Sequence, residues 1–107
     1  MKINCHCGAL IVDQTDDLPN KAHLIPDQEW FATLDAIDHD VIDALADRRI
    51  DREVAYMQAR KILLKRVRMM WQCSQCGRIY IDDQQHELRC FVPQEAQADT
   101  EVLRSQP

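Results

Sequence analysis

A chain of 107 residues has room for one domain with a modest core, and not for two. Hydrophobic residues make up 46% and charged residues 29%, a globular balance that excludes a disordered or membrane-spanning class. The net charge of −5 is unevenly spread: ten acids and two bases in residues 1–47, nine bases and two acids in 48–78, six acids and two bases in 79–107.

In chain order, Lys2 to Cys5 and Ala9 to Asp13 read as two short strands, the second carrying β-favouring Ile11 and Val12. Residues 14–26 form an irregular connector with two prolines. Asp27, after Pro26 and before Gln28 and Glu29, predicts a helix N-cap. From there Trp30, Leu34, Ile37, Val41 and Leu45, joined by Phe31 and Ile42, recur at helical spacing, so a helix is expected over 28–46. A turn at 47–50 leads to a second helix over 52–69, capped by Asp51, with Tyr56, Leu63, Leu64, Val67, Met70 and Trp71 on its apolar face. Residues 70–73 fit a strand as well as a helix end, Arg78 to Asp82 alternates as a strand, and Leu88 to Val92 returns antiparallel after a turn at 83–86. The expected fold class is α+β, two short knuckle hairpins with an inserted antiparallel helical hairpin, in a single domain over 1–93. Residues 94–107, rich in Gln, Glu, Ala and Asp without apolar periodicity, are expected to be a flexible acidic tail.

Two cysteine knuckles bracket the helices, Cys5-His6-Cys7-Gly8 and Cys73-Ser74-Gln75-Cys76-Gly77. Cys7 to Asp13 aligns with Cys76 to Asp82, the spacing from cysteine to aspartate being the same. Four thiolates are what a structural Zn2+ ion prefers, and a glycine after each knuckle lets backbone amides turn toward sulfur. Cys5, Cys7, Cys73 and Cys76 are therefore the candidate metal ligands, for one structural zinc. The first knuckle has one residue between its cysteines and not two, which leaves His6, His23, His86 and Cys90 as substitute ligands.

On these residues the chain resembles zinc-ribbon proteins, and more loosely small uncharacterised bacterial proteins of zinc-ribbon type. The C-x-x-C-G of the second knuckle carries the likeness most cleanly, and the two knuckle hairpins it covers are about a third of the residues. The resemblance implies a split ribbon in a bacterial cytoplasmic protein and transfers no activity. The start of the chain lacks an apolar signal-peptide core and no apolar run reaches about 18 residues, so a reduced cytoplasm, and no membrane, is expected.

Other readings of the cysteines are weaker. A redox Cys73-x-x-Cys76 would sit at a strand-to-helix junction, whereas here the pair precedes a strand. A closed thiolate shell has no position for a hydrolytic water. Catalytic residues are expected to be none, with a metal-dependent or redox enzyme the third reading. Cys90 reads as a small buried hydrophobe, and His86 and His39 as surface histidines.

Binding is the remaining class. An acidic face with Asp16, Asp17, Asp35, Asp40 and Asp43 suits a protein partner with a basic surface, as an accessory or immunity-type protein would cap. The runner-up is a nucleic-acid-binding regulator using Lys61, Lys65 and Arg68, placed at i, i+4 and i+7 of the second helix. Helical projection puts Asp38 and Arg60 inside the two apolar arcs, which predicts a partly buried ion pair across the hairpin.

Overall fold

The structure, a computed structural model, describes residues 1–105. It is of mixed α+β class, with one two-stranded and one four-stranded sheet and a helical insert. The chain divides into two compact units, one built from Met1–Leu24 together with the chain from Arg68 onward, the other from Ile25–Val67. Among the described residues no helix is long and apolar enough to cross a membrane.

In the first unit, β1 (Lys2–Asn4) pairs antiparallel with β2 (Leu10–Val12), and the first knuckle is the turn between them. Alternation puts Ile3 opposite Ile11, and both are buried while their strand neighbours face out. The second sheet runs in the order β3 (Lys21–Leu24), β4 (Arg68–Gln72), β5 (Ile79–Asp82), β6 (Leu88–Phe91), antiparallel throughout, with the second knuckle as the β4–β5 turn. Ile3, Cys5 and Ile11 from one sheet and Trp71, Cys73 and Tyr80 from the other form a single core.

Strand β3 lies where an irregular connector is expected. Its sequence, Lys-Ala-His-Leu, has no β-branched residue, so its pairing comes from β4 alongside and not from local preference. Asp13 ties the two sheets together: its carboxylate accepts from the Trp71 indole (2.9 Å) and pairs with Lys21 Nζ (2.7 Å), whose ammonium also lies over the Trp71 ring.

Residues 94–107, expected as a flexible tail, include a stretch anchored by fully buried Gln72. Its amide nitrogen donates to the carbonyls of Asp99 (2.9 Å) and Gly77 (3.2 Å), and its amide oxygen accepts from Val102 N–H (2.9 Å). Residues 106 and 107 of that tail lie outside the described residues.

The second unit holds α1 (Asp27–Ile37), a π-helical segment (Asp38–Asp43), α2 (Ala44–Ala46) and α3 (Arg52–Arg66). The first three are one continuous helix over the expected span. Pro26 occupies the N-cap position, and Asp27 instead places its acid in the first turn, near the positive end of the helix dipole. Asp51 caps α3 by accepting from Val54 N–H at 2.9 Å.

Packing inside this unit departs from the sequence expectation. Val41, Ala55 and Ile62 form its core, flanked by Ala36, Ile37, Ile50 and Ala59, with Thr33 and Ala44 also buried. Small residues thus bring the helices together, and most large apolar residues of the expected faces are exposed: Trp30, Phe31, Leu34, Ile42 and Leu45 on one helix, Tyr56, Leu63 and Leu64 on the other. Asp38 and Arg60 are exposed too, and among the described residues no ion pair joins them. The π-helical turn begins at Asp38, where i→i+5 bonding changes the angular phase that a uniform projection assumes.

Helix α3 ends at Arg66, three residues before the expected end, because Val67 adopts an extended conformation and β4 begins at Arg68. Arg68 therefore stands on a strand opposite Leu24, and the helical stripe of Lys61, Lys65 and Arg68 loses its third member.

Candidate metal centre

Each knuckle is closed by the same two backbone hydrogen bonds. In the first, Cys5 N–H donates to Ala9 O and Gly8 N–H to Cys5 O, both 2.9 Å; in the second, Cys73 N–H donates to Arg78 O (2.9 Å) and Gly77 N–H to Cys73 O (2.8 Å). The first knuckle is one residue shorter between equivalent bonds, which absorbs its missing residue without changing the closure. Both glycines take left-handed φ, +95° at Gly8 and +83° at Gly77, a turn that a side chain would strain.

The result brings Cys5, Cys7, Cys73 and Cys76 together with all four sulfurs within 4.8 Å of one another. The closest pairs cross between knuckles, Cys5 Sγ to Cys76 Sγ at 3.5 Å and Cys7 Sγ to Cys73 Sγ at 3.6 Å. These separations are too long for disulfides. They fall just short of the edge of roughly 3.8 Å that four sulfurs about 2.3 Å from a tetrahedral ion would have. The cluster can hold a metal ion, and its all-thiol donor set suits a soft one.

Charge is distributed unevenly over the four. Burial works against the Cys76 thiolate, yet the backbone N–H and guanidinium of Arg78, with Cys5 and Cys7, bring its pKa down to about 6. Burial likewise opposes the Cys5 thiolate, and the Cys7 N–H and the Tyr80 hydroxyl outweigh it and lower that pKa. Cys7 accepts from Ala9 N–H, which favours its thiolate, but desolvation and the neighbouring sulfurs push it up to about 11. Crowding of like charges is the cost of an anionic cluster without a cation, and a bound metal removes it.

The sulfurs also sit in a supporting frame. Burial and the adjoining Cys5 hold the Tyr80 phenol well above its ordinary pKa, so it stays protonated beside the sulfur. Its oxygen accepts from His6 N–H at 3.1 Å, and the rings of His6 and Tyr80 stack with an interplanar angle of 4°. His6 thus props the knuckle from outside the cluster. Cys90, opposite Tyr80 on β6, packs half-buried against the core and is not among the clustered ligands; neither are exposed His23 and His86.

Gln72 is the supporting residue that sequence reasoning missed. Its side chain bonds to the carbonyl of Gly77, and so holds the second knuckle from behind. The only hint was a polar residue immediately before Cys73 in an otherwise apolar stretch.

The acidic candidates are placed as follows. Asp16 and Asp17 are exposed and line a polar recess of about 320 Å3 in the first unit with Lys21 and His23. Asp35, Asp40 and Asp43 are exposed on the first helix of the second unit, where Asp40 pairs with His39 at 2.8 Å. Lys61 and Lys65 are exposed on α3.

The model of the family described as "Domain of unknown function (DUF8617)" matches residues 1–95, and the chain belongs to that family. The match spans both knuckles and the whole helical insert. No curated protein and no solved structure matches the chain.

Proposed function

We propose that this member of the DUF8617 family is a zinc-ribbon-type protein whose single Zn2+ is structural, and that its role is non-enzymatic binding of another protein. The convergence of four cysteine sulfurs from two knuckles supports this reading. Four thiolates complete a tetrahedral zinc shell and leave no position for substrate or water. A bacterial cytoplasm, where thiols remain reduced, suits such ligands. The exposed carboxylates Asp16, Asp17, Asp35, Asp40 and Asp43 favour a partner with a basic surface, in the manner of an accessory or immunity-type protein. A metal-dependent or redox enzyme is the third reading.

The test joins metal analysis to binding. Elemental analysis of the purified chain is expected to give one zinc per molecule, and the zinc-loaded chain is expected to retain a specific basic protein. Retention is expected to fall when Asp35, Asp40 and Asp43 are changed to Asn. Retention that ignores those changes would sink the acidic docking face. The exposure of Lys61 and Lys65 favours nucleic acid as the second reading. Retention of duplex DNA that disappears with salt, and with Lys61→Ala and Lys65→Ala, would establish it.

A further inference from the structure

The helical unit is unfinished as an isolated object. Its length is close to the roughly 40 residues below which a core needs help from metal, disulfide or association. Its buried hydrophobics are only four, Val41, Ala44, Ala55 and Ile62, while Phe31 is 71% exposed, Met57 69% and Leu64 65%.

These exposed residues are ordered. On the first helix Phe31, Leu34, Asp38, Ile42 and Leu45 are all exposed, with a carboxylate in the middle. On α3, Val54, Met57, Lys61 and Leu64 repeat at three, four and three, with a cation toward the middle, and form an open apolar face flanked by Arg60 and Lys65. Steps of three and four are those of helices that pack side by side.

Charge identifies the occupant. The helix from Asp27 to Ala46 carries six acids and no base, whereas α3 carries five bases and one acid. Among the described residues no salt bridge connects the two within a chain. Each molecule therefore presents both an acid-centred apolar stripe and a base-centred apolar face, each exposed. A second copy of the same chain supplies the complement of each.

We infer that two copies associate through their helical units. The Phe31–Leu45 stripe of one copy lies along the α3 face of the other, and Asp38 meets Lys61 and Arg60 across the interface. The inference goes beyond the binding role proposed above and does not depend on the ion being zinc.

The test uses the full metal-loaded chain in sedimentation equilibrium and light scattering across micromolar concentrations. The expected result is a species of twice the 12.5 kDa chain mass, dissociating on dilution. Asp38→Lys and Lys61→Asp are each expected to raise the dimer dissociation constant by about 10-fold or more, and the double exchange to recover most of that loss. Met57→Gln, which leaves every charge in place, is expected to weaken the dimer as well. Circular dichroism of each variant is the check that its helices are kept. A monomer at every concentration, a dimer indifferent to Asp38→Lys, or a double exchange no better than either single change would overturn the inference. So would a monomer whose α3 face instead takes up an acidic helical peptide or duplex DNA.

Discussion

The two knuckles are built to one plan and differ in what stands behind them. Around Gly8 an added methyl group would meet open space, whereas at Gly77 it would come within 3.2 Å of Pro93 and 3.6 Å of Thr100. Cys7 is exposed and the pKa of its thiol is pushed up; Cys76 is half-buried and already favours its thiolate. The first knuckle contributes sulfurs from a free hairpin tip. The second is wedged between Gln72 and the chain from Pro93 to Val102, and it gives the site its rigidity. Repeated sequence here means repeated closure, not repeated environment.

The contrast can be broken most severely at the ligands. Cys73→Ser is expected to abolish metal binding and unfold the first unit, since structural zinc contributes an apparent 10–16 kcal/mol, in round figures about as much as a small domain's whole stability. Cys7→Ser, at the exposed tip, is expected to leave a three-thiolate site that binds more weakly and refolds at saturating zinc. Metal titration followed by circular dichroism separates the two, and a folded, zinc-loaded Cys73→Ser chain would refute the ligand assignment.

A smaller effect probes the support. Gly77→Ala adds a tight contact with Pro93 to left-handed strain and is expected to cost about 2–3 kcal/mol, against about 1–2 kcal/mol of strain alone for Gly8→Ala. Equal losses in chemical denaturation would remove the asymmetry between the knuckles.

The smallest concerns Asp13. Asp13→Asn is expected to cost about 1–2 kcal/mol at neutral pH by weakening charge-assisted bonds to Lys21 and Trp71. Hydrogen bonding to Lys21 and then Trp71 holds the native carboxyl below its ordinary pKa of 3.8. Its contribution is thus complete above that ordinary value and drains away as pH falls through the lower native one. Tryptophan fluorescence on metal-saturated chains should show the gap between wild type and variant closing in that acid range, and a gap that widened would contradict the assignment.

The elements with strong local signals were legible in the sequence: both knuckles, the cap at Asp51, the helix extents to within a few residues and the α+β class. What escaped depends on partners distant in sequence. Strand β3 exists because β4 offers it an edge, and Lys-Ala-His-Leu says nothing of that alone. Gln72 matters because carbonyls at 77 and 99 converge on it. The helical faces were misjudged for another reason: hydrophobicity ranked Trp30, Phe31 and Leu64 as core, while Ala36, Ala55 and Ala59 allow the closer approach of helices. The expected Asp38–Arg60 bond failed because the π-helical turn beginning at Asp38 shifts the angular phase of the helix. The cysteine-to-aspartate echo misled in part as well, since Asp13 bridges two sheets while Asp82 is simply paired at the end of β5.

The sulfur pairs that cross between knuckles join residues 71 and 66 positions apart. A ribosome making this chain exposes the first pair early and must finish both helices before the second emerges. Until then Cys5 and Cys7 form half a chelate, open to any passing thiophile. Closing so long a loop comes late and slowly in folding. A metal ion held by all four sulfurs can therefore be fully coordinated only once residue 76 has emerged, and a nascent product broken off earlier lacks the complete ligand set.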